Sequence, residues 1–146
     1  MLNWQGIHGA SHWARVRLNG LRLARENGAN LQVVELFAFL HDARRQDDGH
    51  DRAHGQRAAE LVAELDGRFF ELSSSERLLL ETACREHSDG GLRADVTVQT
   101  CWDADRLDLG RIGIRPAPER LCTPQARRRE FIQDCYRRSR GGGRSS

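Results

Sequence analysis

The sequence contains no lysine, so all 23 of its basic residues are arginine. It also lacks any apolar run near the roughly 20 residues that cross a bilayer, and residues 1–15 lack the basic and apolar segments of a signal peptide. These last two absences favour a cytoplasmic protein without a membrane partner. The four cysteines form no CxxC pair, which favours buried thiols over a zinc or disulfide framework.

The charge of the chain is unevenly distributed along its 146 residues, a length that allows one domain and excludes a large multidomain enzyme. Residues 1–110 hold 13 arginines against 18 acidic residues, a net charge of −5. Residues 111–146 hold 10 arginines against 3 acidic residues, a net charge of +7. A basic run of this kind is typical of a solvated tail, and it is also the main sign of contact with nucleic acid.

Apolar residues recur at helical spacing along most of the chain, and no pair of segments has the alternation of paired strands. The most hydrophobic segment, 33–43, should form the central helix. Ser73 and Glu76 form a capping box at the start of the fourth helix, and Thr123-Pro124 is predicted to start the last one. The expected fold is all-α, a single-domain helical bundle of about five or six helices over residues 1–138, with a disordered tail at 139–146. The predicted helices are 9–27, 33–43, 52–65, 73–87, 95–109 and 123–138, with an irregular segment at 110–118.

Each predicted core helix carries one histidine or aspartate, or one pair of them, that could ligate a metal ion. The pair His41-Asp42 lies at the end of the most hydrophobic helix, where burying an imidazole and a carboxylate is costly unless both have strong partners. A divalent metal ion is such a partner, and a hydrogen bond within the pair or a helix-end cap is the alternative. Mixed nitrogen and oxygen ligands suit Mn, Fe, Co, Ni or Zn better than Ca or Mg. The other candidates are His12, His54, His87 and Asp105.

These residues occur in an ordered pattern: His12 in HWARV, His41-Asp42 in FAFLHDARR and Asp105 in DADRLDLG. The pattern resembles the H…HD…D signature of the HD-domain metal-dependent phosphohydrolase superfamily, over roughly residues 8–115. The resemblance implies an all-α bundle with one metal ion held by His12, His41, Asp42 and Asp105.

Two further histidines resemble the additional ligands of the dinuclear subset of this superfamily. They are His54 in RAHG and His87 in CREHSDG. The resemblance implies a second metal ion at these histidines, with Asp42 bridging the two ions. A substrate-binding pair or two ordinary surface residues are the alternatives.

The aspartates near the end of the fifth predicted helix can be separated by helix geometry. Asp103 and Asp105 are two residues apart, so their side chains point about 200° away from each other and only one can face the metal. The motif selects Asp105. Asp108 shares a face with Asp105 and either orients a ligand imidazole or pairs with Arg111 in solvent.

The resulting functional hypothesis is a metal-dependent phosphohydrolase that cleaves a small phosphate ester or anhydride, with a nucleotide as the expected substrate. Metal-activated water would attack the phosphorus, and Asp42, or Asp105 in a mononuclear site, would accept the proton of that water. Phosphoryl oxygens also require positive charge. The arginines within a turn of a motif residue are the candidates for this role: Arg15, Arg44, Arg45 and Arg106.

Two other classes of protein remain as alternatives at this stage. A nucleotide-sensing or nucleic-acid-binding HD module without turnover would use the basic segment after residue 110. A di-iron HD oxygenase would share the ligand set, but its relatives carry additional tyrosine or lysine features, and this chain has one tyrosine and no lysine. The sequence indicates neither the oligomeric state nor the identity of the metal.

Overall fold

A computed structural model of the chain describes residues 10–42 and 54–141. Six α-helices occur in these residues, together with two short 3₁₀ helices at Leu109–Ile112 and Pro118–Arg120. The described residues form no strand, only one isolated bridge between Asp66 and Phe70. The predicted all-α fold is therefore confirmed. The α-helices are α1 (Ala10–Asn27), α2 (Leu31–Leu40), α3 (His54–Leu65), α4 (Ser74–Glu86), α5 (Val96–Arg106) and α6 (Arg129–Ser139).

Polar side chains define where three of these helices begin. Asn30 precedes α2 and its side chain accepts a hydrogen bond from the backbone N–H of Val33. Ser73 and Glu76 form the predicted capping box at the start of α4, each side chain accepting from the other residue's backbone N–H. Asp95 caps α5 by accepting from the N–H of Thr97 at 2.8 Å.

Helix α2 is the centre of the main hydrophobic core, as its apolar sequence predicts. Val33, Val34, Phe37 and Ala38 are all buried, and α2 packs against α1, α3, α4 and α5. The helix ends at Leu40, so the His41-Asp42 pair follows it and lies at the edge of the core. All four cysteines are buried and free, as predicted.

The C-terminal part of the chain differs from the sequence-based prediction. Thr123 and Pro124 do not begin the last helix. They begin a turn, and this turn ends at Arg128, whose backbone is extended with ψ of 134°. The hydroxyl and backbone N–H of Thr123 both donate to Asp103 on α5, which ties this turn to the bundle. Helix α6 starts only at Arg129.

The segment predicted to be irregular, 110–118, also contains short regular structure. A 3₁₀ helix, Leu109–Ile112, begins shortly after α5 and ends at Gly113, whose φ of 83° is readily adopted only by glycine. A second hydrophobic cluster, which includes Leu107, Leu121 and Phe131, packs this region against α1 and α6. No helix in the described ranges has the length and apolarity needed to cross a membrane.

Candidate metal centre

The ends of four helices meet around a cluster of histidine and aspartate side chains. His12 lies in the first turn of α1, and His41 and Asp42 directly follow α2. His87 directly follows α4, and Asp105 lies in the last turn of α5. The fold thus brings together five of the six metal-ligand candidates. The sixth, His54, is the first residue of α3, and its side chain lies outside the described residues.

The cluster is almost completely buried. The exposed fraction is 1% for His12, 0% for His41, 2% for Asp42 and 6% for His87. The side chain of Asp105 is 16% exposed. Burying imidazoles and carboxylates together is costly unless their charges and hydrogen-bonding atoms are matched by partners.

Hydrogen bonds at Nδ1 determine the tautomer of two of the histidines. Nδ1 of His41 donates to the backbone carbonyl of Phe37 at 2.9 Å, and Nδ1 of His87 donates to that of Cys84 at 2.8 Å. A carbonyl oxygen can only accept, so the proton of each neutral ring lies on Nδ1 and Nε2 carries a lone pair. This is the tautomer in which Nε2 can ligate a metal ion.

His12 is oriented in the same way by a buried carboxylate. Its Nδ1 lies 2.7 Å from Oδ2 of Asp108, which is 0% exposed. Asp108 also accepts from Nε of Arg15 at 2.6 Å and from Nη2 at 3.1 Å. Nη1 of Arg111 is 4.0 Å from Asp108, so the main partners of this aspartate are His12 and Arg15. The contact between Asp108 and a ligand imidazole is therefore present, and pairing in solvent is not.

The Nε2 atoms of His12 and His41 converge on the carboxylates. They lie 3.3 Å apart, and Oδ1 of Asp105 lies 3.2 Å from the first and 3.4 Å from the second. Oδ2 of Asp42 lies 3.4 Å from Nε2 of His41 and 3.9 Å from Nε2 of His12. The ligand atoms of His12, His41 and Asp42 all lie within 4.8 Å of one another. A bound divalent cation, displacing any proton from these rings, would be a common partner for these nitrogen and oxygen atoms.

The two oxygens of Asp42 face different histidines. Oδ2 faces His41, whereas Oδ1 lies 3.5 Å from Nε2 of His87. Asp42 therefore lies between His41 and His87, the histidines predicted to ligate the first and the second ion.

The ionisation of the cluster also indicates a need for positive charge. Burial alone would lower the pKa of His41, but the negative charges of Asp42 and Asp105 outweigh it and raise the pKa to about 9. Burial alone would raise the pKa of Asp105, but the charge of His41 and the polar contacts with His12 and His41 hold it well below its usual range. The carboxylates therefore hold a proton on His41 when no other cation is bound.

Asp103 and Asp105 point in different directions, as helix geometry predicts. Asp103 accepts hydrogen bonds from the backbone N–H groups of Cys122 and Thr123 at 2.7 and 2.9 Å, and from the hydroxyl of Thr123 at 2.8 Å. It holds the segment before α6 onto the bundle, while Asp105 faces the histidines.

The arginines predicted to bind phosphate are placed differently from one another. Arg15 directs its guanidinium at Asp108. Arg106 lines a cavity of about 630 Å³ that also borders His87 and Asp105. Arg44 and Arg45 lie outside the described residues.

Three further arginines line the same cavity and were not selected from the sequence: Arg111, Arg115 and Arg120. They lie in and around the two 3₁₀ helices that follow α5. The signal that could have identified them is the change to a net positive charge after residue 110. From the sequence alone, such a basic segment is equally typical of a tail or of nucleic-acid contact.

Comparisons with known proteins agree with this fold. Residues 9–110 match the HD domain family. The chain is similar to the crystal structure of a predicted HD superfamily hydrolase from an uncultured Thermotogales bacterium, with a TM-score of 0.69 and 26% identity over 94% of this chain and 79% of that chain. A search of curated proteins gave no match. Because the family match covers more than half of the chain and contains the whole cluster, this protein belongs to the HD domain family.

Proposed function

We propose that this protein is a metal-dependent phosphohydrolase that hydrolyses a small phosphate ester or anhydride, with a nucleotide as its substrate. The observation that carries the proposal is the convergence of Nε2 atoms and carboxylate oxygens in one buried cluster. Asp105 belongs to this cluster and also lines the adjacent cavity. A substrate in the cavity would therefore be next to the ligands.

The residues of the cluster fit a divalent ion of the Mn, Fe, Co, Ni or Zn class, because they supply both imidazole nitrogen and carboxylate oxygen. His12, His41, Asp42 and Asp105 would hold the first ion. His87 and Oδ1 of Asp42 would hold a second ion, together with His54. Asp108 and Arg15 are orienting residues, because they fix the ring of His12 through Nδ1.

A divalent ion in this position supplies an activated water nucleophile and charge neutralisation at the phosphoryl group. The proton of the attacking water goes to Asp42, or to Asp105 when a single ion is bound. Asp105 is placed for this role because it belongs to the cluster and also lines the cavity. Arg106 supplies positive charge for the phosphoryl oxygens from the cavity wall.

A substrate panel tests the proposal. Purified protein would be stripped with a chelator, reloaded separately with Mn, Fe, Co, Ni or Zn, and assayed with para-nitrophenyl phosphate and with nucleotides. We expect hydrolysis that disappears with chelator, returns with at least one metal, and is lost in Asp105→Asn. Absence of turnover on every phosphate substrate, combined with oligonucleotide binding that weakens steeply with salt, would contradict the hydrolase and favour a nucleic-acid-binding module.

A further inference from the structure

The cavity beside the metal centre is built mainly by a segment that contributes no metal ligand. Most of its lining residues lie between Arg106 and Leu121, in and around the two 3₁₀ helices, and His87 and Asp105 of the cluster also line it. Its volume of about 630 Å³ falls within the roughly 300–1,000 Å³ of sites for drug-sized ligands. A single phosphate group would fill only a small part of it.

The lining of this cavity is strongly basic. Four arginines contribute to it, against one acidic residue, Asp105. This excess of positive charge in a concave site attracts anionic ligands. The four are Arg106, Arg111, Arg115 and Arg120.

Two of these arginines carry buried N–H groups without an acceptor among the described residues. They are Nη2 of Arg106 and Nε of Arg111. The side chain of Arg111 is only 11% exposed, and its Nη1 donates to the backbone carbonyl of Asp108. A buried N–H without an acceptor is costly, and an anionic oxygen in the cavity would remove that cost.

The arginines of the cavity wall have different partners. Nη1 of Arg111 donates to the backbone carbonyl of Asp108, so Arg111 lies close to the cluster. Nη1 of Arg106 donates to the backbone carbonyl of Arg120 at 3.1 Å, so Arg106 lies beside the second 3₁₀ helix. Arg115 instead lies over the ring of Tyr136 on α6, at 5.4 Å from its centroid. Helix α6 contributes no residue to the metal centre, and Arg115 and Arg120 are both exposed. Positive charge is thus available both at the ligands and away from them.

Part of the lining is apolar. Leu109, Ile114 and Pro116 contribute to the wall, and Ile114 is 49% exposed. An apolar surface next to guanidinium groups suits a planar, weakly polar ring that is attached to an anionic chain.

We propose that this cavity binds the substrate of the hydrolase and selects a nucleotide with at least two phosphate groups, one at the metal centre near Arg111 and another beside Arg106, Arg115 and Arg120. The proposal rests on the proposed function and adds the substrate class. The ring would lie against the apolar wall. Arg115 and Arg120 are then the residues that distinguish a diphosphate from a monophosphate.

Calorimetric titration of the metal-loaded full-length protein tests this selection without relying on turnover. The probes are the α,β-methylene analogue of ADP, which resists cleavage between its phosphates, with AMP and inorganic pyrophosphate for comparison. We expect the ADP analogue to bind at least about tenfold more tightly than AMP, since each charge-assisted hydrogen bond to a second phosphate adds about that factor. Pyrophosphate should bind more weakly than the ADP analogue, because it cannot use the apolar wall.

The double variant Arg115→Gln/Arg120→Gln should lose at least about tenfold in affinity for the ADP analogue and about threefold or less for AMP. Arg25→Gln is the matched control. It removes one exposed arginine on α1, about 20 Å from His12 along the helix, and should change neither affinity.

Three results would overturn the proposal: equal binding of AMP and the ADP analogue, equal weakening of both by the double variant, or pyrophosphate binding as tight as that of the ADP analogue. These results differ from failure of the proposed function. Selective binding without hydrolysis would contradict the hydrolase, whereas hydrolysis with equal kcat/KM for mono- and diphosphates would contradict the selection.

Discussion

Replacing Asp103 by alanine should destabilise the fold while leaving the metal centre able to bind its ion, whereas Asp105→Asn should impair metal binding. The two aspartates are separated by one residue on α5, yet their partners differ completely. Asp103 binds Cys122 and Thr123, and Asp105 faces His12 and His41. The pair is therefore an internal control for the assignment of roles.

The size of the expected loss follows from the hydrogen bonds of Asp103. Alanine would leave the buried backbone N–H groups of Cys122 and Thr123 without their acceptor, at a cost of about 1–3 kcal/mol for each group. Burial raises the pKa of Asp103 in spite of these hydrogen bonds, so the ionised carboxylate itself has a cost that offsets part of the loss. We expect a net destabilisation of about 3 kcal/mol, which corresponds to a fall of about 10 °C in Tm for a domain of this size.

Two measurements on each variant test these roles of Asp103 and Asp105. Calorimetric or circular dichroism melting of the chelator-treated protein gives the change in Tm, and elemental analysis after reloading gives the metal content. Asp103→Ala should melt about 10 °C lower and reload normally at low temperature. Asp105→Asn should reload poorly, and any fall in its Tm reflects the loss of its contact with His41. Normal stability of Asp103→Ala, or full metal content in Asp105→Asn, would refute this account of the two residues.

Four further predictions concern the metal centre, the helix caps and the thiols. His87→Ala should lower the metal content by about one ion per chain and leave the first ion in place; anomalous scattering from crystals would detect the change. Asp108→Ala should weaken metal affinity about 10- to 100-fold by releasing the ring of His12, as measured by competition with a chelator. The backbone N–H of Ser73 lowers the pKa of Glu76 below 4.5, so the stabilisation is fully present above that pH and is lost as pH falls through the lowered pKa; Glu76→Gln should melt below the wild type at pH 7, and the difference in Tm should shrink as pH falls below 4.5. Because burial raises the pKa of all four thiols, thiol reagents should label the protein only as fast as it unfolds.

Much of the fold could be predicted because its determinants are local in sequence. The apolar run of α2 identifies the central helix, and the capping box of Ser73 and Glu76 marks the start of α4 within one residue. The ligand cluster could be predicted because its members come from ordered motifs at helix ends. The 200° separation of Asp103 and Asp105 is a property of any helix.

The start of α6 could not be predicted, because it depends on a contact between distant parts of the chain. Thr123-Pro124 has the chemistry of a helix start, and Thr123 Oγ1 does accept from the N–H of Ala126 at 3.3 Å. The hydroxyl also donates to Asp103, 20 residues earlier, and the backbone becomes extended at Arg128. Tertiary tethering thus prevails over the local capping signal.

The cavity arginines were missed for a similar reason. Arg111, Arg115 and Arg120 lie in a segment with little helical periodicity, so sequence spacing does not show which way they face. Their position depends on packing of Leu107 and Leu121 in the second hydrophobic cluster. Arg15, whose spacing from His12 predicts a substrate contact, directs its guanidinium at Asp108.

Elemental analysis of protein purified without chelator tests the central claim most directly. The account predicts between one and two divalent ions per chain, from the Mn, Fe, Co, Ni or Zn class, and a sharp loss of metal in His41→Ala and Asp42→Ala. A wild-type protein that contains no such ion and cannot be reloaded with any of the five metals would contradict the metal centre and the hydrolytic function proposed from it.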